Sequence, residues 1–147
     1  EWPFAVDRSA ADCRIPTGAR AILVTHRPGF SQVAGRIDFA GQCTYGCRST
    51  GLTGQAHVKY CGNIIDDAEL RSKLGTGYDV VCANIVADVI IGMSPLFAGF
   101  MKPDATLIVS GIIDERLDEV NAALTENGFV IADSRSEEGW NCIILHR

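Results

Sequence analysis

The run Gly77-Tyr78-Asp79-Val80-Val81-Cys82-Ala83-Asn84-Ile85-Val86-Ala87-Asp88 decides the fold class. Tyr78 to Ala83 is a nearly continuous apolar segment, the pattern of a strand buried on both faces of a parallel sheet. Val86 to Met101 reads as a long apolar helix, with a bend expected at Pro95, where a backbone donor is missing. Lys102-Pro103-Asp104 has turn chemistry, and Thr106-Leu107-Ile108-Val109-Ser110 reads as a second fully buried strand. Strand, helix, strand in that order places Val80 and Ile108 on neighbouring strands.

The same punctuation extends in both directions. Upstream, Asn63-Ile64-Ile65 leads to Asp66-Asp67, an N-cap candidate, then to a short helix from Ala68 to Leu74 closed by Gly75. Downstream, Asp114 is expected to cap a helix from Glu115 to Asn127, with Leu117, Val120 and Leu124 on one face and Gly128 as its stop. Phe129 to Ala132 begins one strand and Trp140 to Leu145 makes the last. The short polar piece Ser134 to Gly139 between them predicts an antiparallel hairpin. The class is α/β.

Residues 1–61 read differently. Ala21 to Thr25, Arg36 to Phe39 and His57 to Tyr60 have the composition of short strands, separated by pieces such as Gly41 to Gly54. No window carries a 3.6-residue apolar period. By the length prior, 147 residues make one domain. Its first part, 1–61, is atypical, and 62–147 is locally consistent.

Bulk properties exclude more than they select. With 47% apolar and 21% charged residues the composition is that of a globular chain. A net charge of -5 argues against a nucleic-acid partner and suits a small molecule or a basic protein. No apolar run reaches the roughly 20 residues of a membrane span, and no signal segment opens the chain, so a cytoplasmic protein away from membranes is expected. Of the six cysteines, Cys82 and Cys142 fall in apolar strands, where thiols pack as small hydrophobes. The Cys43-x3-Cys47 pair lacks a third cysteine, Thr50 standing in its place, and no second clip supports zinc. No metal site is expected. His26, His57 and His146 are scattered, without a partner at catalytic spacing, and read as surface or strand residues.

The Gly77-to-Asp88 run, Leu96-Phe97, Met101-Lys102-Pro103, Leu107-Ile108-Val109-Ser110-Gly111-Ile112-Ile113, the Glu115-to-Gly128 helix and Glu138-Gly139-Trp140 follow one another in unbroken order. Together they resemble the C-terminal half of the catalytic domain of the ribosomal protein L-eleven methyltransferase (PrmA) family, over a little more than half the chain. The resemblance implies a Rossmann-like S-adenosylmethionine methyltransferase sheet, mostly parallel, with an antiparallel C-terminal hairpin and an atypical N-terminal half. It implies S-adenosylmethionine as cofactor and a ribosomal protein as substrate, methylated on an amino group. Asn84 matches the family's asparagine after the fourth strand, a catalytic and cofactor-binding position where a side-chain carbonyl orients the amine. Its alternative role is a turn former capping the next helix. Ile85 adjoins it in the cofactor set. Asn63 matches the position that meets the adenine amino group, or else forms an Asx-turn before its helix. Trp140 and Cys142 read as hairpin core, and Asp114 as a cap rather than a base.

Two pieces that such a site needs are not found upstream. One is a Gly-rich loop after the first strand; the other is an acidic residue ending the second. Ile22 to Thr25 is followed by His26-Arg27-Pro28-Gly29, and Asp38 lies in the wrong context. The first part is then frame-shifted, highly divergent or engineered. Two functions follow: a methyltransferase by descent, inactive if the missing loop is not replaced, or a non-enzymatic module. A half-sheet with an open edge also favours a homodimer.

Overall fold

The structure is a computed structural model that describes residues 14–15, 20–27, 30–38, 43–44 and 58–147. Cys13, Cys47, His57 and most of Gly41 to Gly54 lie outside the described residues. Two short strands, β1 (Arg14–Ile15) and β4 (Cys43–Thr44), pair with each other. The remaining strands are β2 (Arg20–Arg27), β3 (Phe30–Asp38), β5 (Val58–Gly62), β6 (Tyr78–Asn84), β7 (Met101–Ile113), β8 (Val130–Glu137) and β9 (Trp140–His146). They form one sheet in the order β5-β3-β2-β6-β7-β9-β8.

At its centre β2, β6 and β7 are parallel, and Cys82 on β6 stands opposite Ile108 on β7, as the strand-helix-strand reading requires. The antiparallel pairings of β3, β5, β9 and β8 mean that β5, β2, β6, β7 and β8 run one way and β3 and β9 the other. β8 and β9 form the expected antiparallel hairpin.

The helices are α1 (Ala68–Leu74), α2 (Ala87–Phe100) and α3 (Leu117–Glu126). They share one buried apolar cluster with alternate residues of the central strands: Ile22 and Val24, Val81 and Ala83, Leu107 and Val109, Ile143 and Leu145. Because strand side chains alternate, Val80, Cys82, Thr106 and Ile108 lie on the opposite face, where they are half-buried. Inside the helical layer Phe97 and Phe129 meet edge to face, ring centroids 6.4 Å apart. Asp67 caps α1 as predicted, its carboxylate accepting from Leu70 N–H at 2.9 Å. Among the described residues no helix is long and apolar enough to cross a membrane.

Four local expectations fail for identifiable reasons. Lys102-Pro103-Asp104 is not a turn between elements but an exposed bulge inside β7, between the Tyr78–Met101 and Val80–Thr106 pairs. Asp114 caps no helix: it begins a single 3-10 turn (Asp114–Arg116), and its carboxylate accepts from Asn141 Nδ2 at 2.7 Å. The hairpin loop shrinks to Glu138-Gly139, both at positive φ, as a two-residue turn on twisted strands demands. Trp140 is 39% exposed and is not core.

Candidate functional site at the carboxyl ends of the parallel strands

Ligands of parallel α/β sheets collect where the strands end at their carboxyl side. Here those ends lie level: Thr25 on β2 pairs with Asn84 on β6, and Asn84 with Ser110 on β7. Ile85 N–H donates to Ser110 O at 3.3 Å, which holds the exit of β6 against β7. The next residue on β7, Gly111, has φ +81 and interrupts the pairing with β9. A β-carbon built there would sit 2.8 Å from Asn84 Oδ1 and 3.2 Å from Ile85 O. Glycine thus leaves room for the Asn84 amide on the rim.

Asn84 is half-buried, and among the described residues its side chain makes no hydrogen bond. It does not cap α2, whose N-cap is Val86, without a side-chain bond. Among the described residues nothing takes its carbonyl or its N–H groups, which leaves both able to bond a ligand. Ile85 is 4% exposed with its side chain in the core, so only its backbone reaches the rim. Asn63 directly follows β5, and its Oδ1 accepts from Ile65 N–H at 3.1 Å, an Asx-turn. Its Nδ2 donates to Asp66 at 2.5 Å. Arg71 donates to Ile64 O and Ile65 O and fixes this loop to α1.

Other polar groups at the same end stiffen it. Asn141, 1% exposed, donates to Ile112 O at 3.3 Å as well as to Asp114. Arg116 joins the start of α2 to α3 through Asp88 and Glu119, both at 2.6 Å. Val86, Ile113 and Trp140 are exposed apolar residues there, Ile113 standing directly opposite Trp140. The sequence reading put Trp140 in the hairpin core; only its place at the first position of β9, beyond the last helix-facing residue, marks it as a rim residue. Cys142 faces Ser110, and burial pushes its thiol pKa up, with Arg135 opposing and Asp133 adding to the shift. A protonated thiol is a poor nucleophile. His146 is exposed at the far end of β9.

The upstream side of the rim differs from a nucleotide-gripping arrangement. A Gly-rich loop and helix leading to a parallel strand need a crossover of a dozen or more residues. β2 ends at Arg27 and β3 begins at Phe30, antiparallel to it. The hairpin occupies the place of the crossover, and no Gly-rich loop follows β2. A hollow of about 390 Å³ between α1 and α2 is lined by Arg71, Ser72, Thr76, Pro95, Leu96 and Phe100, among others. It lies beside the helix ends that lead into β6 and β7, away from Asn84.

Residues 55–147 match the family model described as ribosomal protein L11 methyltransferase (PrmA). A curated relative of that name from Lachnoclostridium phytofermentans is 41% identical over 106 residues, covering 71% of this chain and 32% of the relative. Another, from Agathobacter rectalis, is 36% identical over 123 residues, covering 80% and 38%. The chain thus spans about a third of the length of these relatives. The crystal structure of a ribosomal protein L11 methylase from Lactobacillus delbrueckii subsp. bulgaricus superposes with a TM-score of 0.50 at 26% identity, over 52% of this chain and 40% of that one.

Proposed function

We propose that this chain, which belongs to the ribosomal protein L11 methyltransferase (PrmA) family, holds the amine-orienting half of an S-adenosylmethionine-dependent protein N-methyltransferase site. The observation that carries the reading is Asn84, its amide on the rim without a partner among the described residues and given room by Gly111. A substrate amine reacts through its lone pair, so it must arrive neutral with that pair aimed at the methyl group. The Asn84 carbonyl accepts one amine N–H and fixes this direction; positioning of this kind supplies most of the rate when the reacting atoms are held about 3 Å apart. S-adenosylmethionine would supply the methyl group when bound. Ile85 offers it a backbone carbonyl, its N–H being bonded to Ser110 O. Asn63, directly after β5, stands where the resemblance puts the contact with the adenine amino group. A basic ribosomal protein suits the net charge of -5, and the cytoplasm is the compartment this reading requires.

The donor-gripping half does not fit. The β2–β3 hairpin supplies neither a Gly-rich loop nor a helix N-terminus after β2. That observation favours a second reading: a folded module with family ancestry and no methyl transfer of its own.

Isothermal titration with S-adenosylhomocysteine separates the two. Binding that Asn84→Ala weakens by about tenfold or more, at an unchanged unfolding midpoint, supports the methyltransferase half-site. Absence of any binding heat supports the non-enzymatic module. Tight stoichiometric binding indifferent to Asn84→Ala would remove Asn84 from the cofactor contacts.

A further inference from the structure

Among the described residues β8 is one of the two outermost strands of the sheet, paired with β9 on one flank only, and each of its eight residues is exposed. Backbone donors and acceptors on its outer flank form a template on which another strand can add. Its pairing with β9 is irregular between Ile131 and Asp133 and regular from Asp133 to Glu137. Within the regular part the charges alternate in sign: Asp133, Arg135, Glu137. The Asp133 carboxylate accepts from Arg135 Nε at 3.2 Å, and the two side chains are about half exposed, 48% and 59%.

We propose that β8 is a self-association edge, on which a second copy of this chain pairs antiparallel about a two-fold axis through Ser134. In that register Asp133 of each copy stands opposite Arg135 of the other, and Ser134 opposite Ser134. Directly opposed unlike charges favour antiparallel pairing and like charges oppose it. Moving the axis one residue either way sets Arg135 against Arg135, or Asp133 against Asp133. The charge pattern thus rejects both neighbouring registers and makes the interface self-complementary, as a two-fold contact must be. The Asp133 and Arg135 variants separate it from a two-residue shift, which would oppose Arg135 to Glu137 and leave Asp133 outside the pairing. The irregularity at Ala132 limits the ladder to a few pairs, so the dimer is weak and concentration-dependent. Among the described strands the edges of this sheet are β5 and β8, not β6, which β2 covers. The pairing would form whether or not the chain transfers methyl groups.

Sedimentation equilibrium of the full chain over a range of concentrations tests this. The mass should rise from the 15.8 kDa of one chain toward twice that value. Asp133→Arg alone and Arg135→Asp alone should each leave a monomer, with the unfolding midpoint unchanged because both residues are exposed. Mixing the two single variants, or combining both changes in one chain, should restore the dimer. A constant monomer mass at every concentration would overturn the proposal. So would a dimer indifferent to the single reversals, or a mixture that stays monomeric.

Discussion

Arg20 donates its backbone N–H to Asp79 Oδ2 at 2.8 Å, and Lys102 donates to the other oxygen of the same carboxylate at 2.5 Å. One side chain on β6 therefore ties β2, which lies upstream of the residues the family model matches, to β6 and β7 within them. The Arg20 side chain adds to the tie: it donates to Thr76 O at 3.0 Å and lies 4.8 Å from the centre of the Tyr78 ring.

Burial opposes the charged form of Asp79, but the Lys102 ammonium and the Arg20 N–H outweigh it and hold the carboxyl pKa below its ordinary range. A carboxyl group with a lowered folded pKa contributes stability above its unfolded pKa and loses that contribution as pH falls through the folded one. Asp79→Asn should cost about 1–3 kcal/mol at neutral pH and little in acid. Urea midpoints of the two proteins should converge as pH falls below the carboxylate range. A constant gap between the two curves would mean that the charge is not what joins the strands.

Gly111→Ala places a β-carbon 2.8 Å from Asn84 Oδ1 at a backbone angle, φ +81, that side chains rarely adopt. We expect a loss of about 1–3 kcal/mol from the strained conformation, with Asn84 displaced from the rim. Gly99, near the end of α2, has nothing within 4 Å of a built β-carbon and an ordinary helical φ. Gly99→Ala should stabilise by about 0.5 kcal/mol. Opposite signs for the two variants in one denaturation series are the expected result.

Phe129 is 1% exposed and packed edge-on against Phe97, whereas Trp140 is 39% exposed. Phe129→Ala should cost about 3–5 kcal/mol, a large part of a small domain's stability. Trp140→Ala should cost under about 1 kcal/mol, the range of surface changes. Thermal unfolding of the two variants checks the difference. Equal losses would return Trp140 to the core.

How far the sequence could be read depended on whether a strand's identity rests on its own apolar content or on its neighbours. β6 and the centre of β7 were legible because their residues are nearly all apolar, those on one face buried under the helices and those on the other half-buried. β8 was legible only at its start, because its polar second half is held by backbone bonds to β9 and buries no side chain. β2 was recognisable as a strand from Ile22 to Val24, but its neighbour, β6, lies more than fifty residues away in the chain. No local pattern encodes such a pairing. Beyond Ser110 the two-residue alternation breaks at the Gly111 irregularity, so the strand reading stopped at Ser110 although β7 continues to Ile113. At the site, motif resemblance located Asn84 on the rim, but the role of Gly111 in clearing its place could only be seen in three dimensions.

Asn141 supplies the last test, because it is polar and nearly inaccessible at 1% exposure. A buried amide persists only where its hydrogen bonds are made. Here Nδ2 reaches Ile112 O and Asp114 Oδ1, spanning the point where the irregularity at Gly111 loosens the pairing of β7 with β9. Asn141→Leu fills a similar volume but removes both bonds and leaves the Ile112 carbonyl without this donor. The cost should be about 1–3 kcal/mol. The loss should be local before it is global: the Asp114 N–H, which donates to Gly139 O at 3.2 Å, should exchange with solvent faster, while amides in the centre of β6 keep their protection relative to global unfolding. Hydrogen exchange resolved by residue distinguishes this from general destabilisation. Uniform acceleration across β6, β7 and β9 would mean that Asn141 supports the whole core rather than the end of β7.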